Sequence, residues 1–187
     1  MPRTRRAVAS SMRQVSRPTI LTAVSPHQIL IVGSGDVAAS LESISATLGW
    51  APAVVTTEAD VTSRLPDAES VVVLSHDENL DGPALAAALT SSASYVGAMG
   101  SRRTQERRRD WLLANGVGAG LADSIRGPAG LDIGAETPAE IAVAIIAEVI
   151  AFRRGAADAG FLSDRSGPIH VRATPGSSEC PGDTVVP

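Results

Sequence analysis

Residues 29–38 read Ile29-Leu-Ile-Val-Gly-Ser-Gly-Asp-Val-Ala38 and decide the fold. The apolar run is typical of a buried strand, and the glycines break it before a helical pattern begins. Gly33 permits a sharp turn, Gly35 leaves room for a phosphate beside the backbone, and Ala38 lets the next helix pack closely. That helix would direct its amino-terminal amides at an anion. The stretch predicts a nucleotide-type phosphate site, with a purely structural turn as the alternative.

Further apolar runs alternate with helical patterns along the central part of the chain. The sequence predicts three more strands, at residues 53–56, 70–74 and 94–99. It also predicts helices that start at three N-cap residues: Asp81, Ser101 and Thr137. Strands that alternate with helices form a parallel sheet covered on both faces. The predicted fold class is therefore a compact, doubly wound, mostly parallel α/β sheet of the Rossmann type.

Composition divides the chain into three parts and excludes several classes of protein. Residues 27–155 are predicted to form the domain, between a disordered basic lead (1–26) and a disordered tail (156–187) rich in Gly, Pro and Ser.

A net charge of −4 argues against nucleic acid as a partner. The single cysteine, Cys180, excludes an internal disulfide and a thiolate metal cluster, and no metal site is expected. No apolar run is long enough to span a membrane and no secretory signal is evident, so a cytoplasmic location is expected.

Polar and glycine-rich loops follow the predicted strands at the edge of the sheet where α/β proteins bind ligands. His76 and Asp77 follow the third strand, and each has a structural alternative as a loop or capping residue. Gly100, Ser101 and Arg102 follow the fourth strand and suit a phosphate or carboxylate, although Ser101 also suits an N-cap. The predicted binding residues are Gly33, Gly35, Ala38, His76, Asp77, Gly100, Ser101, Arg102, Gly130 and Asp132.

Charged or polar residues stand out in three other parts of the chain. The arginines at 107–109 point in three directions on a helix, which predicts that most of this cluster is solvated. Glu148 interrupts an apolar helical stripe, which predicts burial against an arginine or a backbone donor, or a place at an interface. The second strand ends near Thr56, where an NAD-binding fold usually has an acid, and Glu58 is an uncertain substitute.

These loops together resemble the C-terminal Rossmann domain of the XdhC/CoxI family of xanthine dehydrogenase accessory proteins. The resemblance covers residues 28–154 and rests on four blocks: residues 74–77, 95–102, 130–135, and 137–141 together with 147–148. It implies a protein that handles the molybdenum cofactor, as molybdopterin or its dinucleotide form, and helps deliver it to a molybdenum hydroxylase apoprotein. The chain departs from the family pattern at Thr56 and at Arg126, where the family usually has an acid and a histidine. It also lacks the family's cysteine-containing N-terminal domain, which a separate protein could supply.

The function that follows is that of a cofactor-binding maturation factor rather than an enzyme. Two alternatives from other classes stay open. An NAD(P)-dependent oxidoreductase would need an acid at the second strand end, and a protein-docking module would need no small molecule. A homodimer is a further open alternative for the assembly.

Overall fold

The computed structural model describes residues 25–156 and 159–164. Its four strands are β1 (Gln28–Val32), β2 (Ala51–Val55), β3 (Ser70–Val73) and β4 (Tyr95–Ala98). Its α-helices are α1 (Asp36–Thr47), α2 (Glu58–Arg64), α3 (Glu78–Leu89), α4 (Arg102–Ala114), α5 (Ala119–Ala122) and α6 (Pro138–Arg153). Short 3-10 turns occupy Leu65–Asp67 and Leu162–Asp164. Residues 1–24 of the predicted lead (1–26) and most of the predicted tail lie outside the described residues, so their disorder stays a prediction.

All four strands are parallel and lie in the order β2-β1-β3-β4, which confirms the predicted fold class. The chain moves outward from β1 to β2 and then crosses back over β1 to β3. Right-handed crossovers place helices on opposite faces when the direction reverses. α1 accordingly packs on one face of the sheet with α6, and α2, α3 and α4 pack on the other. The reversal creates a crevice between the carboxyl ends of β1 and β3, the place where doubly wound folds bind ligands.

The sheet separates two apolar layers, and β1 supplies both. Leu30 and Val32 face α2, α3 and α4, whereas Ile29 and Ile31 face α1 and α6. Each of these four side chains is at most 1% exposed. Full burial of such a side chain contributes about 1.5–3 kcal/mol, so this layer firmly positions the glycine loop that follows β1.

The second strand begins at Ala51, two residues earlier than the apolar pattern predicts, and it includes Pro52. The Ala51 amide donates to the His27 carbonyl of the neighbouring segment, at 2.8 Å. Hydrogen bonding alternates along a parallel strand, so Pro52 faces the free edge, where its missing N–H leaves no ladder bond unmade. The proline also makes this edge a poor template for another strand.

Helix α3 begins one turn earlier than predicted, so the assignment of Asp81 as its N-cap is wrong. The N-cap is Asp77, whose Oδ1 accepts from the Asn79 amide at 2.9 Å. Asp81 is buried within the helix, at 5% exposure. Next to it, Gly82 has no side chain, and a Cβ there would lie only 2.6 Å from the Trp111 ring. Close packing of α3 against α4 therefore overrides the local sequence signal.

A buried histidine, His27, directly precedes β1 at the amino-terminal end of the sheet. The imidazole of His27 contacts Glu69 through Nδ1 at 2.8 Å and Ser70 Oγ through Nε2 at 3.0 Å. The Trp50 ring packs edge-to-face against the imidazole, and the two ring centroids are 4.6 Å apart. Burial, reinforced by the positive charge of Arg153, lowers the pKa of His27 below its ordinary value and outweighs the attraction of Glu69. The folded protein therefore favours the neutral imidazole.

We expect this histidine to make the free energy of unfolding pH-dependent. The unfolded chain binds a proton on His27 at a higher pH than the folded chain does, so stability should fall as the pH drops below about 6.5. Urea denaturation from about pH 7.5 to about pH 5 should show this decline in the wild type and a shallower one in His27→Gln. His76→Gln, which alters an exposed histidine, is the control and should keep the wild-type slope. An equal slope in His27→Gln would contradict the assignment.

Candidate functional site

The glycine loop after β1 lies at the crevice between β1 and β3. Gly33 has a φ of 126°, and a Cβ there would lie 2.8 Å from the Ser75 nitrogen. Only glycine fits, because the two loops touch through their backbones. Gly35 also has a positive φ, 98°, but a Cβ there would meet nothing within 4 Å. The first glycine thus closes the turn, and the second leaves open space.

That open space lies directly in front of helix α1. Gly35 is the N-cap of α1 and supplies no side-chain hydrogen bond to the first turn. Its carbonyl accepts the Ala39 amide at 3.0 Å, as in a regular helix start. Asp36, an exposed residue in the first turn, places a negative charge beside the same amides. Ala38 is buried beneath the loop at 2% exposure and packs in the layer shared by α1 and α6.

The loop after β3 is held by its own polar groups. Ser75 Oγ accepts the Asp77 amide at 3.0 Å, and the Asp77 carboxylate accepts both the amide and the side chain of Asn79. Asp77 therefore has the structural role that was its alternative. His76 is exposed next to it and makes no hydrogen bond within the described part of the chain. Asp77 thus caps α3, whereas the His76 side chain does not take part in the cap.

The loop after β4 combines a tight turn with exposed cations. Gly100 has a φ of 131°, and Ser101 caps α4 by accepting the Thr104 amide at 3.2 Å. Arg102 and Arg103 follow in the first turn of α4, both exposed and without a salt bridge to any described residue. Ser101 Oγ also shares a hydrogen bond with the Thr104 hydroxyl at 3.0 Å, and the two guanidiniums provide positive charge at this edge.

Arg108 is the buried exception in the arginine cluster, most of which was predicted to be solvated. The side chain is 6% exposed and contacts the carboxylate of Asp81 through Nε and Nη2, at 3.0 and 2.5 Å. The same guanidinium donates to the carbonyl oxygens of Met99 and Ser75. One side chain thus ties together the loops after β3 and β4. Its position four residues before buried Leu112, on the core-facing side of α4, was the signal that sequence reasoning missed.

The neighbouring arginines behave as predicted, because both make ion pairs at the surface. Arg107 pairs with Glu78, and Arg109 pairs with Asp123 at 2.6 Å. The Arg109–Asp123 pair raises the pKa of Arg109 and lowers the pKa of Asp123, in each case chiefly through the hydrogen bond between the two side chains. Exposed pairs of this kind contribute little to stability, so the cluster contains one structural member and two solvated ones.

The loop from Gly130 to Asp132 packs onto helix α6. The Gly130 amide donates to Glu148 Oε2 at 2.8 Å, and the Tyr95 hydroxyl donates to the same oxygen at 2.7 Å. Burial, then the charge of Glu148, raises the pKa of Tyr95. A Cβ at Gly130 would lie 3.3 Å from that of Ala144, so Gly130 is in close packing, whereas Asp132 is exposed. Of the alternatives for Glu148, the structure shows the one with a backbone donor.

The end of β2 lacks the acid that holds a ribose in many dinucleotide folds. The strand ends at Val55, and Thr57 is the N-cap of α2, with its Oγ1 accepting from the Asp60 amide at 3.1 Å. Glu58 lies inside the first turn of that helix. Thr56, one residue beyond the strand, therefore occupies the position next to the strand end.

The described residues contain neither a metal-binding cluster nor a membrane-spanning helix. No group of three or more His, Cys, Asp or Glu side chains in that part of the chain is arranged to hold a metal ion. Within the same residues, no helix combines the length and the hydropathy needed to cross a membrane.

Comparison with known proteins agrees with this architecture. The family model described as the XdhC Rossmann domain matches residues 29–149. A curated relative, the molybdenum cofactor insertion chaperone PaoD of Escherichia coli (strain K12), is 28% identical over 127 residues. That alignment covers 67% of this chain and 40% of the chaperone.

A solved structure shares the fold. The crystal structure of a xanthine dehydrogenase from Bacillus halodurans superimposes with a TM-score of 0.58 at 22% identity, over 70% of this chain and 45% of the other. The chain therefore spans less than half the length of either protein. The family model covers most of the chain, including the glycine loop and most of α6, and we conclude that the chain belongs to the XdhC Rossmann-domain family.

Proposed function

We propose that this chain binds the molybdenum cofactor through a phosphate group and assists the maturation of a molybdenum hydroxylase. The observation that carries the proposal is the open space in front of α1. A Cβ on Gly35 would meet nothing within 4 Å, and the first-turn amides lie behind it. Helix amino termini of this kind bind phosphate through backbone N–H groups and the helix dipole. Molybdopterin carries a phosphate, and its dinucleotide form carries a pyrophosphate.

The exposed cations after β4 favour an anionic ligand that extends across the crevice. β1 and β4 are separated by β3 alone, so their carboxyl ends lie roughly 10 Å apart. A ligand with its phosphate on the Gly35 loop could therefore reach Arg102. Asp36 opposes an anion at the first site, which makes the arginine's contribution more important. His76, exposed after β3, and Asp132, exposed in the loop before α6, would border the remainder of the ligand.

The relatives support the maturation role. The curated relative is named as a chaperone for inserting the molybdenum cofactor, and this chain aligns with 40% of it. In this proposal the cofactor is cargo, and its molybdenum chemistry takes place in the hydroxylase that receives it. The residues of this chain would bind the phosphate, orient the cargo and release it to the partner apoprotein.

The NAD(P)-dependent oxidoreductase is the less favoured alternative. The position beside the β2 strand end is occupied by Thr56, and the hydroxyl of Thr57 is already used as a helix cap. A dinucleotide would therefore lose the usual acid–ribose hydrogen bonds. The open space at Gly35 also favours a small-molecule ligand over a docking module that binds none.

Mass spectrometry of the purified full chain tests the proposal directly. Protein from a host that makes molybdopterin should retain the cofactor, and protein from a host unable to make it should retain none. The cofactor-loaded protein should restore activity to a cofactor-free hydroxylase, and the cofactor-free protein should not. Retained NAD(P), or enzyme-dependent NAD(P)H formation by the chain alone, would favour the oxidoreductase. Absence of any retained or added ligand at millimolar concentration would favour the docking module.

Substitution of Ser101 provides a matched test of the anion site. Ser101→Asp and Ser101→Asn both preserve a good N-cap on α4, but only the first adds negative charge. We expect Ser101→Asp to weaken molybdopterin binding about tenfold or more, and Ser101→Asn to change it little. Fluorescence titration measures the affinity, and thermal unfolding checks that both variants fold. Equal affinities for the two variants would show that the loop after β4 does not contact the ligand.

A further inference from the structure

A cavity of about 510 Å³ lies beside the first residues of β4, at the opposite end of the strand from the glycine loops. Its size falls within the range of ligand sites in proteins. Leu121 and Phe152 line it and remain 44% and 40% exposed, so they present apolar surface at its mouth. The remaining apolar lining consists of Leu89, Ala93, Val96 and Ile125.

The edge of β4 is only half paired along this cavity. The Arg126 amide donates to the Val96 carbonyl, and the Ala98 amide donates to the Arg126 carbonyl, both at 2.9 Å. Before Arg126 the chain turns away, since the Ser124 amide bonds the Leu121 carbonyl instead of β4. By the alternation of a parallel ladder, the Val96 N–H also points to this edge, where no described backbone carbonyl accepts it. The pairing therefore stops one residue short of the start of β4.

The charge at the rim of the cavity is positive. The Arg126 guanidinium lies 5.6 Å from the centre of the Phe152 ring and has no acidic partner among the described residues. Asp123 also lines the cavity, but Arg109 holds its carboxylate. An acidic group on a ligand would therefore find an unopposed guanidinium next to an apolar wall.

We propose that this half-paired edge binds an extended peptide segment of a partner protein, with an aliphatic side chain followed by an acidic one. The Val96 N–H would donate to a peptide carbonyl and continue the ladder that Arg126 begins, as in other cases of strand addition. The aliphatic side chain would enter the space between Leu121 and Phe152. The acidic side chain would pair with Arg126. This site is separate from the cofactor site, so either proposal can fail without the other.

The probe is the peptide acetyl-Val-Leu-Asp-amide, titrated into the full-length, ¹⁵N-labelled protein. We expect the Val96 amide resonance to shift, while resonances of the glycine loop after β1 stay in place. Arg126→Glu should weaken binding at least tenfold, because it reverses the charge that the aspartate meets. Arg64→Glu makes the same change on exposed α2 and should bind like the wild type. Thermal unfolding confirms that both variants fold.

Two altered peptides separate strand addition from non-specific adhesion. A lysine in place of the aspartate should abolish the attraction to Arg126. N-methylation of the peptide nitrogen between leucine and aspartate should disrupt the extended backbone pairing. Equal affinity for either altered peptide would overturn the proposal. A Val96 resonance that does not move at peptide concentrations of a few millimolar would overturn it as well.

Discussion

Replacing Arg108 by methionine should destabilise the protein by about 3–5 kcal/mol, because it leaves a buried carboxylate without its partner. Asp81 is 5% exposed, and one of its oxygens, Oδ1, is already buried without a hydrogen bond in the described part of the chain. The Arg108 guanidinium supplies the positive charge and also donates to the Ser75 and Met99 carbonyls. Its loss would leave three acceptors unsatisfied at once. Urea denaturation at about pH 7 measures the change.

The adjacent arginine gives a matched control. Arg109→Met removes the same kind of side chain one residue along α4, but its pair with Asp123 is exposed, and the change in stability should be much smaller. Asp81→Asn in the Arg108→Met background removes the stranded charge and should recover part of the lost stability. Equal losses in Arg108→Met and Arg109→Met would show that the buried pair has no special weight.

Placing aspartate at Gly35 should abolish binding of the phosphate-bearing ligand. The side chain would project into the open space in front of α1, and its charge would oppose an anion that already faces Asp36. The cost to folding is confined to backbone strain, because φ is 98° and ψ is −173°, a region that essentially only glycine adopts. That strain is about 1–3 kcal/mol, which most domains tolerate.

Gly35→Asn separates charge from shape in this experiment. Asparagine has nearly the same size and the same backbone strain but no charge, so it should weaken binding less than aspartate does. Isothermal titration with molybdopterin measures both affinities, and thermal unfolding confirms that both variants are folded. Wild-type affinity in Gly35→Asp would place the ligand elsewhere on the molecule.

The alternation of strands and helices, and the start of several helices, could be read from the sequence because their causes are local. The turn at Gly33 and the capping box from Thr137 to Glu140 each depend on a few consecutive residues. The resemblance to the XdhC family also came from short blocks of sequence, and the match over residues 29–149 confirms it. Residue composition and order were sufficient for these features.

Tertiary structure decided what depends on residues far apart in the chain. Asp81 has the local pattern of an N-cap, yet pairing with Arg108, 27 residues later, places it inside α3. Glu148 meets Tyr95 and Gly130 only because α6 packs over β4. A buried charge needs a partner wherever the fold can supply one, and local sequence does not reveal which distant residue that is. The sequence by itself determined the order of the elements and the glycine loop, whereas packing between elements decided which polar groups are buried, which are paired and which remain free to bind a ligand.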